Sequence, residues 1–458
     1  SNTQPLAQNL TPSRQELLSR IGDDLDHGTV PYIDTTNINE DAILYIRKDT
    51  LYNGQAYTIY SHASDPGQNG IKVGFSWAGK NNGHYTISKS AANGRVYEWV
   101  APENGVPQGA YTPMRRLIAP QKQQMLTFGG AGELSPSLHS SFELALSNND
   151  LNTYSTLDQS DNQGYALHFN LEKQFLFTDT SRSQFVSSVS YRGVHNNFTP
   201  LERFRAIEFE RDWNLRQRNI AGHEHLLSTG LQYRHQEAGT SGYQFEYLAY
   251  GNGYRGFNNK LTTNLDLNKY HVHFSGNILN THGSGINTQF IRYNADAGRN
   301  LGVLVAGIKG SAEYNHWRTD SLSEQSFSYN QWSVYLRSPD TLTNRYHVSY
   351  QLRDDKMPQN GRLEQITRGQ DMNIGMEIHS LKNNKLKANI TYRQLEVRDT
   401  SLIDDRPEDN LVGRIEHQAR IINKLIRTRT HYEVGAGLEP RKEFTYIKVA
   451  GGQGTYTW

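Results

Sequence analysis

Residues Leu411 to Ala436 read LVGRIEHQARIINKLIRTRTHYEVGA. A two-residue turn at Asn423-Lys424 pairs position 421 with 426, and the register then runs outward without a break. Leu411, Gly413, Ile415, His417, Ala419 and Ile421 share one face with Ile426, Thr428, Thr430, Tyr432, Val434 and Ala436. The other face holds Arg414, Glu416, Gln418, Arg420, Arg427, Arg429, His431 and Glu433. Each strand is about 12 residues, or roughly 40 Å at 3.3 Å per residue, twice the usual length of a soluble strand. A long ribbon with one apolar and one charged face is the pattern of a membrane-spanning hairpin. Arg414, Glu416, Arg420, Arg427, Arg429 and Glu433 are therefore expected to face an interior, since an Arg on the lipid side costs about 2–4 kcal/mol near the midplane. His417, near mid-strand on the apolar face, needs a hydrogen-bond partner there.

The same arithmetic holds elsewhere. Asn268-Lys269 makes a two-residue turn that pairs 267 with 270, 265 with 272 and 263 with 274. Leu261, Thr263, Leu265 and Leu267 then share one face with Tyr270, Val272, Phe274, Gly276 and Ile278. An odd-length loop at 382–384 brings Ile374, Met376 and Ile378 onto the face of Ala388, Ile390 and Tyr392. Alternation recurs at 142–146, 165–171, 185–191, 227–233 and 346–352, giving about 16 to 18 candidate strands after Gln121. The longest connections are 148–164 and 398–410. Tight turns at one rim and long loops at the other fit a closed antiparallel barrel in an outer membrane. A soluble amphipathic sheet is the competing architecture; closure is preferred because it removes exposed edges.

Before Gln121 the pattern differs. Thr11, Pro12 and the Ser13/Glu16 spacing open a helix whose stripe is Leu17, Leu18, Ile21 and Leu25, with Gly28 as its terminator. Short strand-like runs follow at 43–46, 57–60, 71–77, 85–88 and 95–100, a small β-sandwich-like module. Pro102, Pro107, Pro113 and Pro120 mark 101–120 as an extended connector. The domains expected are 1–120 and 121–458.

Composition sets limits on function. Lys and Arg number 47 against 46 Asp and Glu, so no overall basic excess points to nucleic acid. The absence of cysteine excludes disulfides, thiolate metal sites and cysteine nucleophiles. No run approaches the roughly 18–20 apolar residues of a transmembrane helix. The opening SNTQPLAQNL has neither the charged nor the apolar region of a secretory signal.

Candidate chemistry is sparse. His271-x-His273 and His223-x-His225 each place two imidazoles on one strand face without an identifiable third ligand, and read as solvated histidines. Asp354-Asp355, Asp404-Asp405 with Asp409, and Asp23-Asp24-Asp26 lack a calcium-loop spacing and read as loop charge. Gly251-Asn252-Gly253, followed by neither Gly-Lys-Ser/Thr nor a helix, reads as a hairpin tip among Tyr243, Phe245, Tyr247, Tyr250 and Tyr254. Arg203, Arg205, Arg211, Arg216 and Arg218, interleaved with Phe204, Phe209 and Trp213, are neutralised by Glu202, Glu208, Glu210 and Asp212 and read as a charged strand face. No catalytic residue, cofactor or metal ligand is assigned.

Several segments together resemble a family: YEWVAP at 97–102, APQKQQ at 119–124, ALSNND at 145–150, EFERDWN at 208–214 and GLEPRKEFTYIKVAGGQGTYTW at 437–458. They are similar to large, functionally uncharacterised β-rich outer-membrane and envelope proteins of Bacteroidetes. In those proteins a GQGTYTW-like run is internal, so the resemblance implies that this chain corresponds to part of a longer barrel. It implies a compartment, the outer membrane, more than a mechanism. The expected function is a non-enzymatic scaffold or transport component of an envelope assembly, with membrane lipid and envelope proteins as partners and no nucleic acid. The alternative is a secreted or surface β-protein that binds glycans through exposed Tyr and Trp.

Overall fold

The helix α1, Pro12–Ile21, begins where the sequence places it, with Thr11 at the N-cap and Pro12 in the first turn. In the computed structural model, which describes residues 10–34, 43–63, 70–88, 95–176, 182–216, 218–251, 253–379, 383–399, 408–421 and 425–436, it ends earlier than expected. Gly22, at φ 62°, ends it rather than Gly28. Gly28 instead lies under the helix, where a Cβ would stand 2.9 Å from Ile21 Cδ1. The capping box does not form: Thr11 makes no side-chain cap bond, and Glu16 pairs with Arg20. The apolar stripe holds, with Leu18 fully buried against Leu117 and Ala119 and flanked by Leu17, Ile21 and Leu25.

The described residues fall into two compact units, one running to Gln123 and including Asn148–Asn162, the other built from Gln124–Ser147 and the chain from Gln163 onward. In the first unit β1 (Thr29–Pro31) pairs with β10 (Met114–Arg116). One four-stranded sheet has the order β2 (Ile33–Asp34), β5 (Ile71–Val73), β3 (Leu44–Tyr52), β4 (Gln55–His62). The second has the order β6 (Ser76–Trp77), β9 (Tyr111–Thr112), β7 (Tyr85–Ile87), β8 (Tyr97–Trp99). Their shared core is aromatic: Tyr45, Tyr60 and Tyr85 with Val73, packed by Phe75, Tyr97, Trp99 and Tyr111. The expected connector at 101–120 is corrected here, because β9 and β10 lie in it. Pro113 falls between these strands, and both are short enough to pair without using a proline N–H.

The second unit is one sheet of sixteen described strands in sequence order, with antiparallel registers between neighbours from β13 to β26. The strands are β11 (Lys122–Ser135), β12 (Leu138–Asp150), β13 (Gln163–Leu176), β14 (Ser183–Val194), β15 (Glu224–His235), β16 (Gly239–Tyr250), β17 (Arg255–Leu267), β18 (Tyr270–Gly283), β19 (Ile286–Asn300), β20 (Val305–Arg318), β21 (Phe327–Arg337), β22 (Arg345–Gln359), β23 (Arg362–Ile378), β24 (Asn384–Val397), β25 (Glu408–Ile421) and β26 (Ile426–Ala436). The all-β expectation is met, with a barrel-type meander after a small two-sheet module. The worked registers hold: Leu267 faces Tyr270, Ile374 faces Ile390, and Leu411 faces Ala436. Asn268 turns the first hairpin at φ 55°, a conformation Asn tolerates well. Asn423-Lys424 and the 437–458 segment lie outside the described residues.

Alternation gives the sheet two unlike faces. Along one run Leu261, Ile278, Ile308, Val334, Tyr350, Ile374, Ile390, Ile415 and Val434, all large, apolar and exposed. The opposite face of the same strands carries the polar and charged residues. His417 belongs to the apolar face, four residues from the end of β25 rather than at mid-strand, and its Nε2 lies 3.1 Å from Asn384 Oδ1.

Candidate functional site: the polar sheet face and the loop packed on it

Register places Arg414, Glu416, Arg420, Arg427, Arg429 and Glu433 on one face, where Arg414 is opposite Glu433 and Arg420 opposite Arg427. Following the pairings strand by strand carries this face through Lys387, Asn373, Ser349, Tyr335, Lys309, Asp296, His273 and Lys260. Glu416 lies 2.7 Å from Arg414 and 3.8 Å from both Arg429 and His431. On the middle strands Tyr335 donates to Asp296 (2.7 Å), while His271 Nε2 lies 3.0 Å from the Tyr335 hydroxyl. A cavity of about 560 Å³ opens beside them, lined by His273, Lys309, Ser333, Arg337, His347 and Gln351.

The connection between β14 and β15 does not stay at the rim. The described residues of 195–223 fold onto the polar face, with one helical turn, α2 (Phe209–Asp212), at the centre. Trp213 and Leu215 of this loop are buried with Leu248, Tyr250, Leu279 and Phe290, an apolar island on an otherwise polar wall. Its anchors reach three successive strands, β18, β19 and β20. The Asn214 side-chain amide donates to Thr288 Oγ1 and Asn315 Oδ1, both at 2.9 Å, and accepts from Asn315 Nδ2 at 3.0 Å. Arg218 donates to Thr281 Oγ1 at 3.0 Å and lies 5.3 Å from the ring centres of Tyr254 and Trp317. Asp212 accepts from Arg292 at 2.6 Å, and Tyr254 donates its hydroxyl to the Trp213 carbonyl. Gly256 makes the approach possible: a Cβ there would stand 3.0 Å from the Trp213 ring and 2.9 Å from the Tyr254 hydroxyl.

At the loop's base sits Glu224, 1% exposed. Arg192 lies 3.1 Å from one carboxylate oxygen, while Arg205 and the Tyr250 hydroxyl hold the other. Two guanidiniums and a hydroxyl balance the desolvation of this carboxylate, and removal of Glu224 would leave two half-buried cations without it. A second cavity of about 540 Å³ lies between loop and wall, lined by Arg205, Glu210, Arg216, Arg218, Glu224 and Tyr250.

The structure sorts the other sequence candidates. His271 and His273 share the polar face, but His273 turns to Asn264. His223 packs on His195 at 4.6 Å between ring centres, while His225 bonds Tyr191 at 2.8 Å on the apolar face, so the pair diverges. Asp354 pairs with Arg368 and Asp355 with Arg353 on opposite faces. Asp24 bonds His27 and Asp26 pairs with Arg116, while burial and the nearby Asp161, Asp150 and Asp158 push the Asp23 carboxyl up. Asp404, Asp405 and Asn252 lie outside the described residues. Tyr250 and Tyr254 leave the aromatic set expected at the hairpin tip and belong to the loop's anchor. The arginine run at 203–218 is corrected from a strand face to the inserted loop. Its internal pairs, Arg211 and Arg216 with Glu208, are supplemented by bonds to the wall that sequence spacing does not reveal.

Neither a family model nor a curated protein matches the chain. Among solved structures it is similar to Pseudomonas aeruginosa OccK9 (OpdG), at a TM-score of 0.29 and 11% identity over 77% of this chain and 95% of that one.

Proposed function

We propose that the large unit is an outer-membrane β-barrel whose polar face lines a passage narrowed by the 195–223 loop, and that the chain serves as a transport or scaffold component of an envelope assembly. One observation carries this reading: across consecutive strands the apolar side chains stay exposed, Ile415 at 46% and Val434 at 51%, while the charged face is the one that receives a packed loop. In water such a band would be a large exposed apolar patch; in a bilayer it is the lipid contact. Sixteen described strands of 11 to 17 residues suit a spanning sheet, and closure would protect its first and last edges. Lipid is then one partner. The first unit, with Trp77 64% and Leu51 75% exposed, offers a surface for envelope proteins.

Membrane fractionation tests it. The protein is expected to stay with outer membranes through salt and alkaline carbonate and to need detergent for release. Quantitative release by carbonate would overturn the reading in favour of a soluble sheet.

A further inference from the structure

We infer that the wall formed by β24, β25 and β26 makes the polar face an anion-selecting surface. The inference rests on the passage reading and adds a substrate class to it. Register places Lys385, Lys387, Arg393, Arg414, Arg420, Arg427 and Arg429 on this face, with Glu408, Glu416 and Glu433 as the acids these strands contribute among the described residues. At other points on the face charges are matched locally: Asp296 lies 3.6 Å from Lys309, Glu246 2.8 Å from Lys260 and Asp355 2.8 Å from Arg353. On the three-strand wall the matching is incomplete. Lys387 and Arg393 use Glu377 and Asp371 of β23, and Arg414 and Arg429 converge on Glu416.

Arg420 and Arg427 remain. They stand directly opposite each other in register, both exposed, and neither has a carboxylate within ion-pair distance among the described residues. Lys385, likewise exposed and without an acid among the described residues, pairs with Gln418, the next position on this face. Like charges directly opposite destabilise a β-ladder. A solute anion between the two guanidiniums would relieve that repulsion, and Arg suits the planar oxygens of carboxylate or phosphate. A wall with this excess of positive charge in a confined passage also raises the local concentration of counter-ions.

Two measurements on the full chain in detergent or bilayers test the inference. In planar bilayers across a KCl gradient, the reversal potential should carry the sign of chloride selectivity, and R420E/R427E should move it toward potassium. In detergent, pyrophosphate at fixed ionic strength should raise the thermal midpoint of the wild type and leave R420Q/R427Q unmoved. Cation selectivity in the wild type, or a pyrophosphate effect that is absent or persists in R420Q/R427Q, overturns the anion wall. Absence of conductance together with pyrophosphate stabilisation that the double variant loses would instead overturn the passage and keep the anion site.

Discussion

Tyr45 and Tyr85 hold the two sheets of the first unit together by reaching in opposite directions. The Tyr45 hydroxyl, from β3, accepts the backbone N–H of Tyr97 at 2.9 Å, and the Tyr85 hydroxyl, from β7, accepts the N–H of Tyr60 at 2.8 Å. Each phenol buries its ring in the aromatic core and pairs a backbone donor of the opposite sheet.

This relationship gives the module a defined alkaline limit. Burial pushes the Tyr85 hydroxyl up to about 12 and raises Tyr45 as well. A group held protonated in the folded state contributes stability that is complete below the unfolded value near 10 and is lost as pH rises through the folded one. Stability should therefore fall between pH 10 and about 12, by roughly 2–3 kcal/mol for Tyr85 alone. Near-UV circular dichroism against pH checks this. Tyr85→Phe should lower stability at neutral pH by about 1–3 kcal/mol, because the Tyr60 N–H loses its acceptor, and should flatten the alkaline slope.

Asn152, fully buried, completes the C-terminal end of α1. Its side-chain amide donates to the carbonyls of Leu18 and Gly22 at 2.8 and 2.6 Å, and Ser155 donates to Ser19 O at 3.0 Å. These are carbonyls that a helix end leaves unpaired. Asn152→Ala should cost about 1–3 kcal/mol by stranding them, whereas Ser155→Ala, whose bond is only part-buried, should cost less. Thermal unfolding of the two variants gives the comparison.

Where local pattern decides structure, the sequence was readable. Leu261 to Ile278 and Leu411 to Ala436 declare their registers because period-2 alternation and turn length must agree, and a one-residue slip would send every apolar side chain to the wrong face. The polar set from Arg414 to Glu433 was legible for the same reason. The 195–223 loop was not. Its partners Thr288, Asn315 and Arg292 lie some 70 to 100 residues away, and no spacing rule links Asn214 to them. A signal was present in Trp213 and Leu215, apolar residues within a charged connection that has no regular alternation. Leu248, Leu279 and Phe290, apolar residues on the polar face of their strands, were its counterpart. The short β9 and β10 were hidden by flanking prolines, which limit strand length more than they forbid pairing.

Glu224 is the electrostatic latch of that loop. Glu224→Ala leaves the half-buried Arg192 and Arg205 without their carboxylate, a change that costs less than the ~3–5 kcal/mol of removing one partner of a fully buried pair. The expected consequence is local: the loop should leave the wall while the strand ladder persists. Trypsin reports it directly, since Arg203, Arg205, Arg211, Arg216 and Arg218 all lie in the loop. Wild type should resist cleavage there, and the variant should be cut while far-UV circular dichroism remains that of a β-sheet. Equal resistance in both proteins would remove Glu224 from this role.

The assignment of the two faces can be tested residue by residue because the chain has no cysteine of its own. Ile415 and Tyr432 are directly opposite on the apolar face, and Arg414 and Glu433 are opposite on the polar one, one position away in each strand. Single cysteines at 415, 432, 414 and 427, labelled with an environment-sensitive fluorophore in reconstituted protein, sample both faces of one hairpin. A lipid-soluble quencher should reach the labels at 415 and 432, and a water-soluble quencher those at 414 and 427. The alternation itself is the diagnostic quantity, since a label that merely loosened the hairpin would blur adjacent positions rather than exchange them. Lipid quenching at 414 and 427 with none at 415 and 432 would turn the sheet inside out. Aqueous quenching at all four would place the hairpin in water and remove the bilayer from the account.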